Sequence, residues 1–216
     1  MRFLAFTDIH GAYKKTEEII EREHPFDAII IGGDLTTVGT PKEAEEAIKR
    51  FQSHDKPLFV VSGNMDPPEL DELFDKLGVL VSGKGRMIGD VGIFGVSGSP
   101  ITPMSTPYEI SEAEIGKRAE AGWKEVEKAR VKIFVPHAPP NGTKVDKIFI
   151  GKHVGSIAVR EFIEKRQPEV VICGHIHEAR GADEIGNTQI VNCGPAGKGY
   201  YAVIEIGETA RVELKG

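Results

Sequence analysis

Short apolar segments alternate with longer amphipathic segments along the first third of the chain. The apolar runs at residues 3–6, 28–31 and 58–61 have the length and composition of buried strands. Each run is followed by a charged stretch with helical periodicity, which predicts helices over residues 13–23, 41–51 and 68–77. Strands that alternate with helices in this way predict βαβ units, in which helices cover parallel strands.

The pattern changes after residue 77. Residues 78–96 contain strand-like pieces broken by glycines, which is typical of antiparallel pairing, and the proline-rich residues 97–110 predict an irregular loop. The remaining predicted elements are a helix over 111–129, in which Ser111 and Glu114 form a capping-box pattern, a strand over 131–135, a helix over 154–166, a strand over 170–173 and an antiparallel meander over 188–191, 200–206 and 211–214. Without a repeat or linker, the pattern favours a single domain over residues 1–216.

Composition excludes some classes of protein. The 216 residues are 40% hydrophobic and 28% charged, as in ordinary globular proteins, and the net charge of -6 argues against a dedicated nucleic-acid binder. The two cysteines, Cys173 and Cys193, are too few for a disulfide framework. No segment has the length of a membrane span or the features of a signal peptide, so we expect a cytoplasmic protein without a membrane partner.

Polar side chains that commonly bind metals follow five of the predicted strands, at the point where each strand ends. They are Asp8, His10, Asp34, Asn64, His137, His175 and His177. Because the carboxyl ends of parallel strands meet at one edge of a sheet, we expect these side chains to converge. A mixture of carboxylate, amide and imidazole donors favours Mn, Fe, Co or Zn over an all-oxygen Ca or Mg site.

These motifs, in this order, resemble those of the calcineurin-like metallophosphoesterase superfamily. The matching blocks are Asp8-Ile9-His10, Gly33-Asp34, Gly63-Asn64, His137 and Gly174-His175-Ile176-His177. The resemblance implies an α/β fold, a four-layer α-β-β-α sandwich of two mixed β-sheets flanked by helices. It also implies two divalent metal ions, with Mn expected first and Fe, Co, Zn or Ni as alternatives.

The resemblance also assigns ligands to each ion. Asp8, His10, Asp34 and His177 would hold one ion, while Asp34, Asn64, His137 and His175 would hold the other. The Asp34 carboxylate would bridge the two. The implied reaction is hydrolysis of a small phosphoester, a phosphodiester in preference to a monoester, by attack of a metal-bridging hydroxide.

One position departs from the family pattern. Many members carry a histidine directly after the asparagine, where it protonates the leaving group or stabilises the transition state, but this chain has Met65, which can do neither. Either the leaving group must already be a good one, or another group supplies the proton, first His153 and second Asp66. His153 could instead cap the helix that we predict from residue 154, and the sequence leaves both interpretations open.

Other functions are compatible with the same pattern. The first alternative is a non-catalytic protein-interaction module that keeps the fold, which the loss of the acid at Met65 motivates. The second is a nuclease, although no basic tract supports it. Residues 97–110 could line a substrate site or contact a partner, and the glycine-rich residues 192–200 could approach a phosphate or connect two strands. A homodimer is compatible with the sequence, which does not determine the oligomeric state.

Overall fold

The computed structural model describes all residues from 1 to 216. In chain order the elements are β1 (Arg2–Phe6), α1 (Tyr13–Arg22), β2 (Ala28–Gly32), α2 (Pro41–Gln52), β3 (Leu58–Val61), α3 (Glu69–Lys76), β4 (Gly85–Ile88), β5 (Val91–Val96), β6 (Ser99–Pro100), β7 (Glu109–Ile110), α4 (Glu112–Val126), β8 (Val131–Pro136), α5 (Ile157–Arg166), β9 (Val170–Cys173), β10 (Gly181–Ile185), β11 (Thr188–Asn192), β12 (Tyr201–Ile206) and β13 (Ala210–Lys215). No helix combines the length and apolar character that crossing a lipid bilayer requires.

The strands form two large mixed sheets. The first has the order β13-β12-β1-β2-β3; β1, β2 and β3 are parallel, while β12 and β13 add antiparallel neighbours. The second has the order β10-β11-β9-β8-β5-β4, with four parallel central strands and an antiparallel strand at each edge. The remaining strands, β6 and β7, form a small parallel pair.

Three apolar clusters hold the layers together, and alternation within β1 illustrates how. Leu4 and Phe6 pack towards helices α1 to α3, while Phe3 and Ala5 face the second sheet. The other face of the second sheet packs Phe94 and Phe134 against α4 and α5. Each large apolar side chain buried in this way contributes about 1.5–3 kcal/mol. The predicted four-layer α-β-β-α sandwich is therefore confirmed.

The helices begin where the sequence supplies caps. Pro41 occupies the first turn of α2, and the side chain of the preceding Thr40 accepts a hydrogen bond from the Glu43 N–H. Ser111 likewise accepts the N–H of Glu114 at the start of α4. The predicted capping box at α4 is half formed, because the Glu114 carboxylate contacts Arg118 at 3.0 Å instead of returning to Ser111.

Two predictions about local structure were wrong, and one strand was missed. The helix predicted from residue 154 begins at Ile157, and its cap is Ser156 rather than His153. The predicted C-terminal meander is divided between sheets, because β11 pairs in parallel with β9 while β12 and β13 join the first sheet. Strand β10, with the sequence GADEI, was missed because it has little apolar character.

Candidate metal centre

The predicted ligands lie just after the carboxyl ends of strands from both sheets. In the first sheet, β1 is followed by Asp8 and His10, β2 by Asp34 and β3 by Asn64. In the second sheet, β8 is followed by His137 and β9 by His175 and His177. The candidate centre therefore lies where the carboxyl ends of strands from the two sheets come together.

One group of ligand atoms is formed by Asp8, His10 and His177. The Nε2 atom of His177 lies 3.4 Å from Oδ1 of Asp8, and the rings of His10 and His177 meet edge to face with centroids 5.3 Å apart. Asp8 is 1% exposed, whereas the His177 side chain is 42% exposed. This group is thus anchored in the interior and open to solvent on one side.

Asp34 lies between this group and the remaining ligands. Its Oδ2 atom is 3.5 Å from Nε2 of His10 and also 3.5 Å from Nε2 of His137. Asn64 completes the far side, since its Oδ1 atom is 3.0 Å from Nε2 of His137 and 2.7 Å from Nδ1 of His175. The structure therefore brings all the predicted ligands together.

Hydrogen bonds to the protein orient these ligands. Nδ1 of His137 lies 2.9 Å from the carbonyl oxygen of Gly32, so Nε2 is the ring atom that faces Asp34 and Asn64 and that would bind a cation after losing its proton. Nδ1 of His10 is 3.0 Å from the Thr37 hydroxyl. The Met65 N–H donates to Oδ1 of Asp34 at 2.8 Å. Each contact leaves the atom that faces the other ligands available.

Four of the ligand residues adopt left-handed backbone conformations. Their φ angles are 52° for Asp8, 47° for His10, 51° for Asp34 and 68° for His175. A left-handed conformation at a residue other than glycine costs about 1–2 kcal/mol, and aspartate and histidine tolerate it better than bulkier residues do. These sharp turns direct the ligand side chains into the centre.

Two glycines leave the space that the carboxylates occupy. A Cβ atom at Gly63 would overlap the Asp34 carboxylate, and a Cβ atom at Gly174 would overlap Oδ2 of Asp8. Both positions adjoin ligands, Asn64 and His175. The glycines of these motifs therefore allow close packing between loops of different strands.

The charges of the centre are strongly coupled. Burial alone would raise the pKa of Asp8, but the hydrogen bond from His177 and the charges of His137 and His177 hold it well below its usual range. Burial alone would lower the pKa of His137, but the charge and hydrogen bond of Asp34, together with Asp8, raise it to about 9. Burial and the charge of His137 lower the pKa of His175 to about 4, so that ring is a neutral donor near pH 7.

The residues fit a divalent metal centre. Oδ2 of Asp8 is buried and has no hydrogen-bond partner in the protein. A buried carboxylate oxygen without a partner is costly unless a cation or another polar group contacts it. Buried carboxylate, amide and imidazole donors together suit ions of intermediate hardness. The chemistry of the centre thus matches metal binding, while leaving the identity of the metal open.

The two predicted proton donors occupy different surroundings. Asp66 is fully buried, and its carboxylate accepts hydrogen bonds from the N–H groups of Leu35, Thr36 and Gly63 and from the Thr36 hydroxyl. This arrangement joins the loops after β2 and β3 and argues against the second predicted donor, because both carboxylate oxygens are engaged away from solvent. His153 is exposed, and its Nδ1 atom lies 2.6 Å from Oδ1 of Asp146.

Both ambiguous loops border the centre. The Tyr108 N–H donates to the Asn64 carbonyl at 3.0 Å, and the Tyr108 hydroxyl donates to Asp71 at 2.7 Å, so part of residues 97–110 packs beneath the ligands. Met104 in the same loop is 82% exposed. In the glycine-rich segment, the carbonyl of Gly194 accepts the hydroxyl of Thr7, the residue before Asp8.

Residues that organise the centre without binding a cation escaped the sequence analysis. Asp146 accepts the Thr143 N–H, and the pair forms a capping box. The spacing of Thr143 and Asp146 carries this signal, because Ser or Thr followed three residues later by an acid is the capping-box pattern. For Asn192, which donates to the carbonyls of Val145 and Ile176, no local pattern could indicate the role.

Comparisons with known proteins agree with this architecture. A sequence profile described as calcineurin-like phosphoesterase matches residues 1–179. The chain is 34% identical over 206 residues to the protein named uncharacterized protein MJ1162 of Methanocaldococcus jannaschii, covering 93% of this chain and 90% of that relative.

Solved structures share the fold. The crystal structure of TT1561 of Thermus thermophilus matches with a TM-score of 0.78 at 18% identity, covering 100% of this chain and 98% of that chain. A crystal structure of 5'-nucleotidase from Candida albicans matches with a TM-score of 0.56 at 12% identity, covering 99% of this chain and 50% of that one. The two-sheet sandwich is thus found in chains with little sequence similarity to this one.

Proposed function

This chain belongs to the calcineurin-like phosphoesterase family and is a metal-dependent phosphoric ester hydrolase, and on that premise we propose that it hydrolyses small phosphodiesters at a centre for two divalent cations. The observation that carries the proposal is the position of Asp34. Its Oδ2 atom lies 3.5 Å from Nε2 atoms on both sides, those of His10 and His137. A carboxylate in this position is suited to act as a ligand that two cations share.

The proposed division of ligands follows the proximity of their atoms. Asp8, His10 and His177 form a group on the open side, while Asn64, His137 and His175 meet on the buried side. Asp34 belongs to both sets, and Asp8 also approaches Asp34 and His137. Mn²⁺ is the first candidate, because carboxylate, amide and imidazole donors all bind it and the protein supplies no thiolate here.

The protein's own groups would prepare the reaction. When bound, a pair of divalent cations supplies an acidified water as nucleophile and neutralises charge on the phosphoryl oxygens. The Gly32 carbonyl orients His137, and the Met65 N–H fixes Asp34. Asp66 is proposed as a positioning residue, because it holds the loops that carry Asp34 and Asn64 against each other.

Charge around the centre supports a diester over a monoester. None of the hydrogen bonds or ion pairs made by the ligand side chains involves lysine or arginine. A phosphomonoester dianion carries more negative charge than a diester near neutral pH, so it gains more from additional basic residues. With Asp8 and Asp34 already in the centre, the singly charged diester is the better match.

The direct test is to replace Asp34 by asparagine, which removes the charge and keeps a residue that tolerates a left-handed backbone. We expect Mn²⁺-loaded Asp34→Asn protein to cleave an activated aryl phosphodiester about 100-fold more slowly or worse. Elemental analysis should also find less bound metal. Initial rates and metal content are measured on the same preparations.

Asp55→Asn is the matched control. Asp55 has a φ angle of 53°, close to the 51° of Asp34, but it is exposed. The control should keep wild-type rates and metal content. Undiminished hydrolysis by Asp34→Asn protein would contradict the proposed mechanism, and a matching loss in Asp55→Asn protein would point to a general effect on the fold.

A further inference from the structure

An aspartate–histidine pair lies in the loop that leaves the candidate centre after His137. We call residues 138–156 the dyad loop. The loop closes on itself at its base, where the Ser156 N–H donates to the Pro139 carbonyl at 2.8 Å and the Asn141 N–H donates to the Ser156 carbonyl at 2.9 Å. The loop is therefore a defined structure with a fixed base.

Asp146 is the buried member of the pair. It is 0% exposed, and its carboxylate accepts the N–H groups of Gly142, Thr143 and Gly155 at 2.9–3.0 Å. Burial alone would raise its pKa, but the contact with His153 and these N–H groups outweigh burial and lower the pKa. Asp146 is thus held as an ionised, immobile acceptor.

His153 is the accessible member of the pair. Its Nδ1 atom lies 2.6 Å from Oδ1 of Asp146, and its side chain is 40% exposed. The backbone of His153 is also fixed, since it bridges to Lys147 across the loop. A carboxylate that holds Nδ1 leaves Nε2 directed away from it, as in the histidine and acid pairs that transfer protons in hydrolases.

The dyad loop is attached to the segment that carries two proposed ligands. The side-chain amide of Asn192 donates to the Val145 carbonyl at 3.2 Å and to the Ile176 carbonyl at 2.9 Å. Val145 precedes Asp146, and Ile176 lies between His175 and His177. This shared donor ties the segment that carries Asp146 to the segment that carries His175 and His177.

We propose that Asp146 and His153 are the proton-donating dyad of this enzyme and that they serve phosphoesters with alkoxide leaving groups. The inference rests on the proposed function. It accounts for Met65, which has no proton to donate at the position where the family pattern has histidine. It also assigns to Asp146 the positioning of the imidazole, and to His153 the contact with the leaving group.

In the proposed step, the imidazolium of His153 protonates the oxygen of the leaving group. Water oxygen forms a bond to phosphorus and gives up one proton to solvent, as the bond from phosphorus to the leaving oxygen breaks. Nε2–H of the His153 imidazolium passes its proton to that oxygen, so the product leaves as an alcohol instead of an alkoxide. Asp146 stays ionised throughout and stabilises the imidazolium, and the imidazole regains a proton from solvent.

The experiment compares His153→Gln and Asp146→Asn with wild type on two matched phosphodiesters, one with an aryl and one with an alkyl leaving group. With Mn²⁺-loaded protein, we expect His153→Gln to lower kcat/KM on the alkyl ester by about 100-fold, within the usual range for a general acid. The aryl ester needs little protonation, so its rate should fall only a few-fold. Asp146→Asn should show the same asymmetry with a smaller loss.

His24→Gln is the matched control, because His24 is an exposed histidine whose ring packs on Phe26 and His54, neither of which is a candidate ligand. It should leave both rates unchanged. Equal losses on the two esters in His153→Gln protein, or no loss, would overturn the dyad. A wild-type protein inactive on both esters would count against the proposed function itself.

A second readout does not depend on activity. In the neutral state, ¹⁵N NMR of the His153 ring should find the proton on Nδ1 in wild type, because Asp146 accepts it there. In Asp146→Asn protein the ring should shift towards the Nε2–H tautomer that imidazoles ordinarily prefer. An Nε2–H tautomer already dominant in wild type would overturn the dyad even if hydrolysis were observed.

Discussion

At the scale of single residues, the candidate centre depends on positions where glycine leaves room for a neighbouring carboxylate. Gly63 is the clearest case, since a Cβ atom there would overlap the Asp34 carboxylate. Gly116 offers a contrast, because its Cβ atom would meet only Ala158, at 3.9 Å. Replacing glycine by alanine should therefore destabilise the protein at Gly63 and stabilise it at Gly116.

We expect Gly63→Ala to weaken Mn²⁺ binding by at least about 10-fold and to destabilise the protein by about 1–3 kcal/mol, as overpacking does. Gly116 lies within helix α4, so Gly116→Ala should stabilise the protein by about 0.5–1 kcal/mol and leave metal binding unchanged. Calorimetric titration and urea unfolding measure both effects. Unaltered metal binding in Gly63→Ala protein would show that the loop can move aside.

At the scale of elements, the strands that the sequence predicted best are those buried on both faces. Residues 170–173 were predicted with their observed bounds, because VVIC is apolar throughout and faces apolar layers on both sides. Pairing was harder to predict. Strand β11 lies in the second sheet because it pairs with β9. The residues of β9 and β11 do not by themselves indicate that these two strands pair.

The same contrast applies to the site. The convergence of the candidate ligands was predictable because each follows a buried strand, and strand ends determine where these side chains meet. Asp66 was predicted as a proton donor, yet its buried position and its hydrogen bonds from Leu35, Thr36 and Gly63 make it a connection between loops. Such a role depends on contacts between distant parts of the chain, which residue spacing does not reveal.

Glu109 organises another loop beside the centre. Its carboxylate accepts the N–H and hydroxyl groups of Thr102 and Thr106 at 2.8–2.9 Å. Burial of the carboxylate favours the neutral form, but the four hydrogen bonds together outweigh it and lower the pKa of Glu109 to about 2. Because the folded pKa is depressed, the resulting stability is present above the ordinary pKa of 4.5 and is lost as the pH falls towards 2.

Glu109→Gln should therefore be less stable than wild type at pH 6, and the difference should shrink as the pH falls from about 4.5 towards 2. Solvent screening limits the effect to about 1 kcal/mol or less. Urea unfolding across this pH range measures it. Glu208→Gln, at an exposed glutamate, should match wild type throughout; a Glu109→Gln difference that did not depend on pH would contradict the assignment.

At the scale of the whole molecule, the candidate centre joins the two sheets. Asp8, Asp34 and Asn64 follow strands of the first sheet, while His137 and His175 follow strands of the second. A cation bound by both sets would hold the sheet edges together in the folded state only. Metal binding should therefore stabilise the whole chain, which we propose folds as one domain over residues 1–216.

Mn²⁺ at about 100 times its Kd should stabilise the folded protein by about 2.7 kcal/mol. For a chain of this size, that corresponds to a rise in Tm of about 5–10 °C. Calorimetry before and after removal of metal with EDTA measures the shift, and a single transition is expected in both conditions. Asp34→Asn protein should lose most of the shift, and an equal shift in that variant would place the stabilising ion elsewhere.

The left-handed backbone at Asp8, His10, Asp34 and His175 has a consequence for how these positions change during evolution. Each of these positions would be relaxed by glycine, so under the proposed function natural selection for metal binding works there against selection for stability. A descendant lineage that no longer needed the reaction would gain by exchanging them. Glycine or asparagine at these four positions in a relative would thus record the loss of its chemistry, even where the two sheets and their helices were fully retained.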